Sequence, residues 1–498
     1  MTIRRILIAN RGEIAIRVVK ACRELGIETV AIYSDADVDA PHVAAADRAV
    51  RVGAAAPAES YLNIAAIIGA ARREDCDAIH PGYGFLSERP AFARACEEAA
   101  IVFIGPAADT IDRMGSKVGA RELMRKAGVP VVPGATPSDQ STKGVLAAAQ
   151  SIGFPVLVKA SAGGGGKGMR ILRDAVDADE AIDGARREAE AAFGDGILYV
   201  ERLIARPRHV EVQIFGDSQG NAVHLFEREC SIQRRHQKVV EESPSPALTP
   251  QLREQMGQAA VAAAAAVNYR NAGTVEFLLE ASGEHARFYF LEMNTRLQVE
   301  HPVTEAVTGT DLVRAQIAVA AGEPLPWTQQ SLAQRGHAIE CRVYAEDPQS
   351  GFLPQAGRLL LYREPNGPGV RVDAGMIEGG EVAVMYDPLL AKLTVHAETR
   401  TAAIERAIAA LRRYAILGIR TNLPFLIRVL DHPSFRSGDI DTGFIERHVD
   451  ALTRAPEPTP PVVAAAASAT SSTARRPGVV SPSSEGEDPW ASLSTWGR

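Results

Sequence analysis

Residues 292–300 alternate polar and apolar side chains in an order that points to chemistry. The run reads Glu-Met-Asn-Thr-Arg-Leu-Gln-Val-Glu. Alternate side chains of a β-strand face opposite sides, so a strand here would place five polar groups on one face: Glu292, Asn294, Arg296, Gln298 and Glu300. Behind them, the core would receive Met293, Leu297 and Val299. Packing does not require such a polar row, whereas a site that binds a metal and an anion does.

A second carboxylate is expected beside this row. Residues 273–280 predict a strand, and the Ser, Gly, Glu and His within 281–287 suit a hairpin turn. A hairpin symmetric about Glu284 would set Glu276 opposite Glu292. Facing like charges repel, and Mg²⁺, which prefers one or two carboxylates with phosphate oxygens, would remove that cost. The alternative is a pair of solvated carboxylates, and a register shift of one residue would separate them.

A glycine-rich loop is the second chemical signal. Residues 159–169 read Lys-Ala-Ser-Ala-Gly-Gly-Gly-Gly-Lys-Gly-Met, between strands predicted at 156–160 and 169–172. Consecutive glycines let backbone N–H groups turn toward an anion. The loop is not a P-loop, because Ser161 and Gly168 stand where that motif needs Gly and Ser or Thr. We interpret it as a flap that closes over a triphosphate; the alternative is a purely structural glycine run.

The composition is that of a globular protein with about three domains. The chain has 498 residues, of which 46% are hydrophobic and 23% charged. A net charge of −7 predicts no nucleic-acid or membrane-surface partner, and no segment resembles a transmembrane span. The five cysteines form no metal-binding spacing and are expected to be reduced and buried. A cytoplasmic location follows, with an organelle as the alternative.

The predicted elements divide the chain into four parts. Residues 1–115 alternate helices with strands at 4–9, 29–34, 78–80 and 102–104, which predicts a parallel α/β domain. Its first turn, at residues 10–13, lacks the dinucleotide fingerprint. Residues 116–334 hold the flap and the hairpin, and 335–448 form a third unit. The Pro, Ala and Ser of 449–498 predict a flexible tail.

Several long motifs together resemble the ATP-grasp superfamily and, within it, the biotin carboxylases. The resemblance covers about residues 2–448 and includes, besides the flap, Ile8–Arg17, His80–Glu88, Cys230–Lys238, Glu292–Pro302 and His337–Arg342. It implies a multidomain α/β and α+β fold. A parallel α/β N-domain would precede an ATP-grasp centre, with a mobile lid at about 131–204, and a C-terminal biotin carboxylase domain.

The resemblance also implies residues for ATP and metal. The ATP-binding set would comprise Lys117, Lys159, the flap residues Gly163, Gly164, Gly165, Gly166, Lys167, Gly168 and Met169, the hinge residues Glu201, Arg202, Leu203 and Ile204, and His209, Gln233, His236, Glu276 and Leu278. Two Mg²⁺ or Mn²⁺ ions would bind Glu276, Glu292 and Asn294. Two positions depart from the family pattern: Lys167 replaces a common arginine and Arg202 a common lysine, and both keep the charge.

The same resemblance implies roles in the reaction. The bicarbonate contacts would be Lys238, Arg296, Gln298 and Val299. Glu300 would act as general base, provided that it lies within hydrogen-bonding reach of bicarbonate. Arg342 would meet the biotin ureido oxygen, and Tyr83 would line the biotin pocket. Arg296, Glu300, Lys238 and Arg342 are thus the catalytic candidates. Taken singly, Arg342 could also be a surface arginine, and residues 234–238 a solvated basic patch.

The implied activity is ATP-dependent carboxylation of biotin on a carrier protein, with bicarbonate and through carboxyphosphate. This is the first half-reaction of an acyl-CoA carboxylase, and the expected overall reaction is acetyl-CoA to malonyl-CoA in fatty acid biosynthesis. The chain lacks Ala-Met-Lys-Met, so the biotin carboxyl carrier protein and carboxyltransferase are expected on separate chains, or lost by truncation. A homodimer is also expected. The alternatives are an ATP-grasp carboxylate–amine ligase and a silent nucleotide-binding scaffold.

Overall fold

A parallel sheet forms the first part of the chain in this computed structural model, which describes residues 2–161, 168–281 and 286–455. Its strands are β1 (Arg5–Ile8), β2 (Glu28–Ser34), β3 (Arg48–Gly53), β4 (Ala78–His80) and β5 (Val102–Phe103). The spatial order is β3-β2-β1-β4-β5. The helices of this part are α1 (Gly12–Glu24), α2 (Pro41–Ala45), α3 (Ile64–Arg73), α4 (Pro90–Glu98) and α5 (Ala108–Gly115). The four predicted strands are confirmed.

Strand β3 was not predicted from the sequence. This strand is at the edge of the sheet and exposes the side chains of Arg48 and Arg51. Charged side chains are a common protection of edge strands against further pairing. They also interrupt the apolar pattern by which a buried strand is recognised.

A smaller sheet lies between the parallel sheet and the hairpin in the sequence. It follows α6 (Lys117–Lys126) and contains β6 (Gly134–Ala135), β7 (Val156–Ala160), β8 (Arg170–Leu172) and β9 (Leu198–Arg202). The order is β6-β9-β7-β8, and the apolar side chains of α7 (Thr142–Ile152) and α8 (Ala178–Phe193) share a core with it. The expected strands at 156–160 and 169–172 are confirmed, whereas Gly163–Lys167 of the flap lie outside the described residues.

An eight-stranded sheet carries most of the remaining chain. Its first five strands in sequence are β10 (Arg208–Gly216), β11 (Ala222–Arg234), β12 (Gln237–Ser243), β13 (Asn271–Glu280) and β14 (Arg287–Asn294). The later strands are β15 (His337–Tyr344), β16 (Glu346–Asp347), β17 (Leu353–Pro354), β18 (Gly357–Arg358), β19 (Leu361–Arg363), β20 (Val370–Ala374), β21 (Glu381–Val382), β22 (Leu389–Ala397) and β23 (Ala415–Leu417). The sheet order β14-β13-β10-β11-β12-β15-β22-β20 crosses residue 335 without a break.

Helices cover this sheet. They are α9 (Pro250–Ala266), α10 (His301–Thr308), α11 (Leu312–Ala320), α12 (Arg400–Arg413), α13 (Leu423–Asp431), α14 (Pro433–Ser437) and α15 (Phe444–Thr453). Helix α15 continues to Thr453, so the first residues of the expected 449–498 tail are helical. The residues from 456 onward lie outside the described ranges. Within those ranges, we find no helix with the length and apolar character that a membrane span needs.

The β13–β14 hairpin confirms the facing carboxylates. Glu276 pairs with Glu292, but a bulge next to this pair makes Phe277 face Phe290. The part of the hairpin nearer the turn is therefore one residue out of the symmetric register that we expected, and the bulge restores it at Glu276.

The predicted strand over 292–300 is wrong beyond Asn294. Strand β14 ends there, and residues 299–300 form a turn. The Glu88 carboxylate ends the ladder, because it accepts hydrogen bonds from the Thr295 amide at 3.0 Å and from Arg296 Nε at 2.8 Å. Leu297 is buried as expected, but Val299 is half-buried and lines a cavity instead of entering the core.

Strand β15 provides a test of the large sheet. Ile339 is fully buried in the core between this sheet and the C-terminal helices. We expect Ile339→Ala to lower the free energy of unfolding by about 2–5 kcal/mol, through lost burial and the cavity that remains. Leu360→Ala is the control, since Leu360 is 70% exposed, and should change it by less than about 0.5 kcal/mol. Urea unfolding measures both; equal effects would contradict this description of the core.

Candidate active site

A cavity of about 440 Å³ brings most of the predicted site residues together. Its walls come from the small sheet, from the large sheet and from the segment after β14. The predicted residues that line it are Lys117, Lys159, Met169, Glu201, Arg202, Leu203, Ile204, His209, Gln233, His236, Lys238, Glu276, Leu278, Glu292, Asn294, Arg296, Gln298, Val299 and Arg342. Gly168 is described but is not in this wall, and Glu300 lies just behind it.

Lys238 is the electrostatic centre of the site. Its ammonium donates to Glu211 at 2.5 Å, to Glu300 at 2.6 Å and to Glu276 at 2.8 Å. Burial opposes the charge, but these three carboxylates raise the pKa of Lys238 well above its usual value. Lys238 is therefore a fixed cation, and the arginine-rich segment 234–238 is more than a solvated basic patch.

Glu211 was missed by the sequence analysis, although its strand carries a usable signal. His209, Glu211 and Gln213 alternate with valines in β10, and all three are buried. This is the alternation that drew attention to 292–300. A fully buried arginine, Arg228, holds Glu211 at 2.6 Å and Gln213 at 2.7 Å. The row behind the cavity is thus anchored from below.

Glu276 and Glu292 form the expected carboxylate pair. Burial and the neighbouring Glu276 raise the pKa of Glu292. For Glu276, burial is outweighed by Lys238 and His209, which lower its pKa strongly. Asn294 Nδ2 donates to Glu276 at 2.8 Å, and His209 Nε2 lies 3.1 Å from the other Glu276 oxygen. Two facing carboxylates and an amide oxygen are a donor set that fits Mg²⁺.

Glu300 lies between two cations. Its oxygens accept from Lys238 at 2.6 Å and from Arg342 at 2.9 Å, and its side chain is fully buried. Burial would raise the pKa of Glu300, but Lys238 and Arg342 outweigh it and leave the pKa well below the usual range. Arg342 also donates to Glu241 at 2.6 Å. It is 8% exposed, which excludes the interpretation as a surface arginine.

Arg296 is held at the cavity wall by a residue that the sequence did not reveal. Glu88 accepts from Arg296 Nε at 2.8 Å, and Arg296 also donates to the Asn294 amide oxygen at 3.3 Å. Glu88 is 208 residues away in the sequence, so no local pattern could predict the contact. Burial opposes the charge of Arg296, but Glu88 raises its pKa.

The hinge of the small sheet uses its polar groups within the protein. Glu201 accepts from Lys159 at 2.8 Å and from Arg121 at 3.2 Å. Arg202 forms a bidentate pair with Glu280, at 2.7 and 2.8 Å. The Leu203 amide donates to the Pro155 carbonyl at 3.1 Å. These contacts fix the strand at the edge of the cavity.

The β11–β12 hairpin presents Gln233, His236 and Lys238 to the same cavity. Its two turn residues, Arg235 and His236, both have positive φ, at 48° and 66°. Two-residue hairpin turns require this conformation, which non-glycine residues rarely adopt. Burial lowers the pKa of His236, so this histidine is neutral near pH 7.

A second cavity, of about 480 Å³, contains Tyr83. It shares Arg296, Val299 and Arg342 with the first cavity, and its opposite wall includes Tyr386. Tyr83 donates its hydroxyl hydrogen to Glu13. Two ligands, one in each cavity, would therefore meet at a common wall that carries two arginines.

Three family models match the chain in order. They describe the N-terminal domain of biotin carboxylase (residues 2–111), the ATP-binding domain of the carbamoyl-phosphate synthase L chain (116–328) and the C-terminal domain of biotin carboxylase (340–447). A biotin carboxylase of Halalkalibacterium halodurans is 51% identical over 450 residues, which are 90% of this chain and 99% of the relative. The chain belongs to the biotin carboxylase family.

Other members of the family extend the comparison. Biotin carboxylase 2 of Bacillus subtilis is 50% identical over 445 residues, 89% of this chain and 99% of that one. The crystal structure of the biotin carboxylase domain dimer of Hydrogenobacter thermophilus 2-oxoglutarate carboxylase, with MgADP, ADP and bicarbonate, has a TM-score of 0.88 and 46% identity. It covers 92% of this chain and 100% of that one. The expected family and fold class are confirmed.

Glu241 provides a pH test of the buried charges. Burial, opposed by Arg342, raises its pKa to about 7. A carboxyl group that prefers its proton in the folded state loses stability as pH rises from about 4.5 to 7. We therefore expect the stability of Glu241→Gln relative to the wild type to rise by about 1–3 kcal/mol between pH 5 and pH 8.

Urea unfolding at pH 5 and pH 8 measures this difference. Glu98→Gln is the control for the change in net charge, because Glu98 is exposed. Its stability relative to the wild type should stay constant between the two pH values. A Glu241→Gln difference that is also constant would contradict the burial of a titrating carboxyl group beside Arg342.

Proposed function

We propose that this chain cleaves ATP with bicarbonate and transfers the carboxyl group to biotin on a carrier protein. One observation carries the proposal: Glu300 lies within 3 Å of both Lys238 and Arg342, beside the wall that the two cavities share. A general base for bicarbonate and a cation for biotin are thus adjacent. A carboxylate–amine ligase has no need of this pairing, and a silent scaffold has no need of an intact base.

Bicarbonate would bind in the first cavity, against Lys238, Arg296, Gln298 and Val299. A bound anion would draw hydrogen bonds from Lys238 and so weaken the hold of that ammonium on Glu300. The carboxylate would then be basic enough to take the bicarbonate proton as a bicarbonate oxygen attacks the γ-phosphorus. The bond from the γ-phosphorus to ADP breaks, and the product is carboxyphosphate.

Biotin would bind in the second cavity, beside Tyr83. Carboxyphosphate would release CO₂ and phosphate at the common wall, and biotin N1 would lose a proton before it attacks CO₂. Negative charge then develops on the ureido oxygen, where the Arg342 guanidinium would stabilise it. Tight hydrogen bonds to Glu241 and Glu300 keep that guanidinium in place.

The nucleotide would lie between the two sheets. We propose that Lys117, Lys159 and the flap Gly163–Met169 contact the phosphates, with His209, Gln233 and His236 around the nucleotide and Leu278 against the base. Because the Leu203 amide already donates to Pro155, the adenine hydrogen bond from the hinge falls to Ile204. Glu201 acts on the phosphates indirectly, by holding Lys159. The lid would comprise residues 131–204.

Two Mg²⁺ ions would be held by Glu276, Glu292 and Asn294, and would neutralise charge on the transferred phosphoryl group. The facing carboxylates support this assignment, since burial leaves Glu292 short of a compensating charge. The protein contributes the fixed geometry of β13 and β14, in which the bulge aligns the pair. Neighbouring Lys117 would complete the positive environment.

We further propose that the carrier protein and a carboxyltransferase act on separate chains, and that the final acceptor is acetyl-CoA. The Halalkalibacterium relative, matched over 99% of its length, is named a biotin carboxylase alone, which supports the first point. The acceptor is a finer proposal, because another relative, 50% identical, belongs to a pyruvate carboxylase of Methanothermobacter thermautotrophicus. A homodimer fits the dimeric Hydrogenobacter structure, and the five buried, unpaired cysteines fit a reducing cytoplasm.

Glu300→Gln tests the general base. We expect bicarbonate-dependent ATP cleavage, stimulated by free biotin in the wild type, to fall by at least about 100-fold, while nucleotide affinity changes little. Glu229→Gln is the matched control: Glu229 is equally buried in the same sheet, but it bonds Ser231 and Ser245 outside the cavity. Wild-type ATP cleavage that ignores bicarbonate would refute the proposed function.

Glu292→Gln tests the metal assignment. The variant keeps the size of the side chain but removes the charge that faces Glu276. We expect the Mg²⁺ concentration for half-maximal ATP cleavage to rise by at least about tenfold, with partial recovery of the rate at high Mg²⁺. Titration of the rate with Mg²⁺ at saturating ATP measures this. An unchanged Mg²⁺ dependence would exclude Glu292 as a ligand.

A further inference from the structure

A buried lysine outside the predicted site contacts the turn that carries the general base. Lys392 lies in β22, and its side chain is fully buried. Its ammonium donates to the Val299 carbonyl at 2.8 Å and lies 3.2 Å from a Glu13 oxygen. Burial opposes the charge, but the carboxylates of Glu13, Glu340 and Asp373 raise the pKa of Lys392. The contact is therefore made by a permanent cation.

The turn has little regular structure to define it. It follows the end of β14 and precedes α10, so no sheet ladder positions it. The carbonyls of Leu297, Gln298 and Glu300 are bonded by groups that are close in the sequence. The Val299 carbonyl instead receives Lys392, which is 93 residues away. This bond ties the turn to the large sheet.

We propose that Lys392 is a positioning residue: its bond to the Val299 carbonyl sets the turn that places Glu300 and the bicarbonate contacts. The inference rests on the proposed function. Lys392 also joins this turn to the second cavity, because Glu13, its ion-pair partner, accepts the Tyr83 hydroxyl hydrogen. One cation thus touches the bicarbonate side of the common wall and supports the Tyr83 side.

A purely structural lysine would only compensate buried carboxylates, and kinetics separate the two roles. Nucleotide contacts come mainly from other strands and from Lys117, so a displaced turn should affect bicarbonate selectively. For Lys392→Met we expect the KM for bicarbonate to rise by about tenfold or more, since small misplacements of reacting groups have large effects on rate. The Kd for ADP, by fluorescence or calorimetry, should stay within about twofold.

Lys392→Arg covers the outcome in which the methionine variant does not fold. Arginine keeps the positive charge for Glu13, Glu340 and Asp373, but its larger planar head cannot reproduce the ammonium contact with Val299. We therefore expect a folded protein with near wild-type Tm and the same selective rise in bicarbonate KM. Thr394→Val is the control, because Thr394 is buried two residues along the same strand and bonds Glu340, not the turn.

The outcomes divide cleanly. A bicarbonate KM that rises in the Lys392 variants, with unchanged ADP binding and a normal Thr394→Val, supports the positioning role. A wild-type bicarbonate KM in Lys392→Arg, or equal changes in bicarbonate KM and ADP Kd, overturns it. Absence of bicarbonate-dependent ATP cleavage in the wild type would instead refute the proposed function, before any variant is compared.

Discussion

The site depends on one shared ammonium. Lys238 is held between Glu211, Glu276 and Glu300, which come from three different segments of the chain. A cation buried without these partners would be strongly unfavourable, and so would the three carboxylates without the cation. The balance aligns β10, β12, β13 and the turn after β14. It also keeps Glu300 ionised until a competing anion arrives, which couples bicarbonate binding to the basicity of Glu300.

Charge is buried throughout the sheet face behind the site. Glu241 pairs across strands with Glu340, and Arg342 with Lys392. Such groups stabilise a fold poorly in comparison with apolar packing, but they fix one another when every partner is in place. The apolar core lies elsewhere, with Ile339 on the opposite side of β15. Strand alternation thus divides stability and chemistry between the two faces of one sheet.

The sequence predicted the parts of this site that depend on local periodicity. The pairing of Glu276 with Glu292 followed from the hairpin, and the flanking strands followed from their apolar patterns. Glu88 was not predictable, because its contact with Arg296 joins distant segments, and this contact also ended the strand expected through Glu300. Glu211 was accessible in principle, from the alternation of β10. Lys392 offers no such signal, since a single lysine in a strand is usually exposed.

The central claim is that bicarbonate itself attacks the γ-phosphate. The most direct measurement is the fate of oxygen in a reaction with ¹⁸O-labelled bicarbonate, ATP, Mg²⁺ and free biotin. The account predicts that one ¹⁸O atom per turnover appears in the released phosphate, which mass spectrometry detects. Phosphate that takes its new oxygen from solvent water instead would show that ATP is hydrolysed without bicarbonate attack, and would contradict the assignment of Glu300 and Lys238.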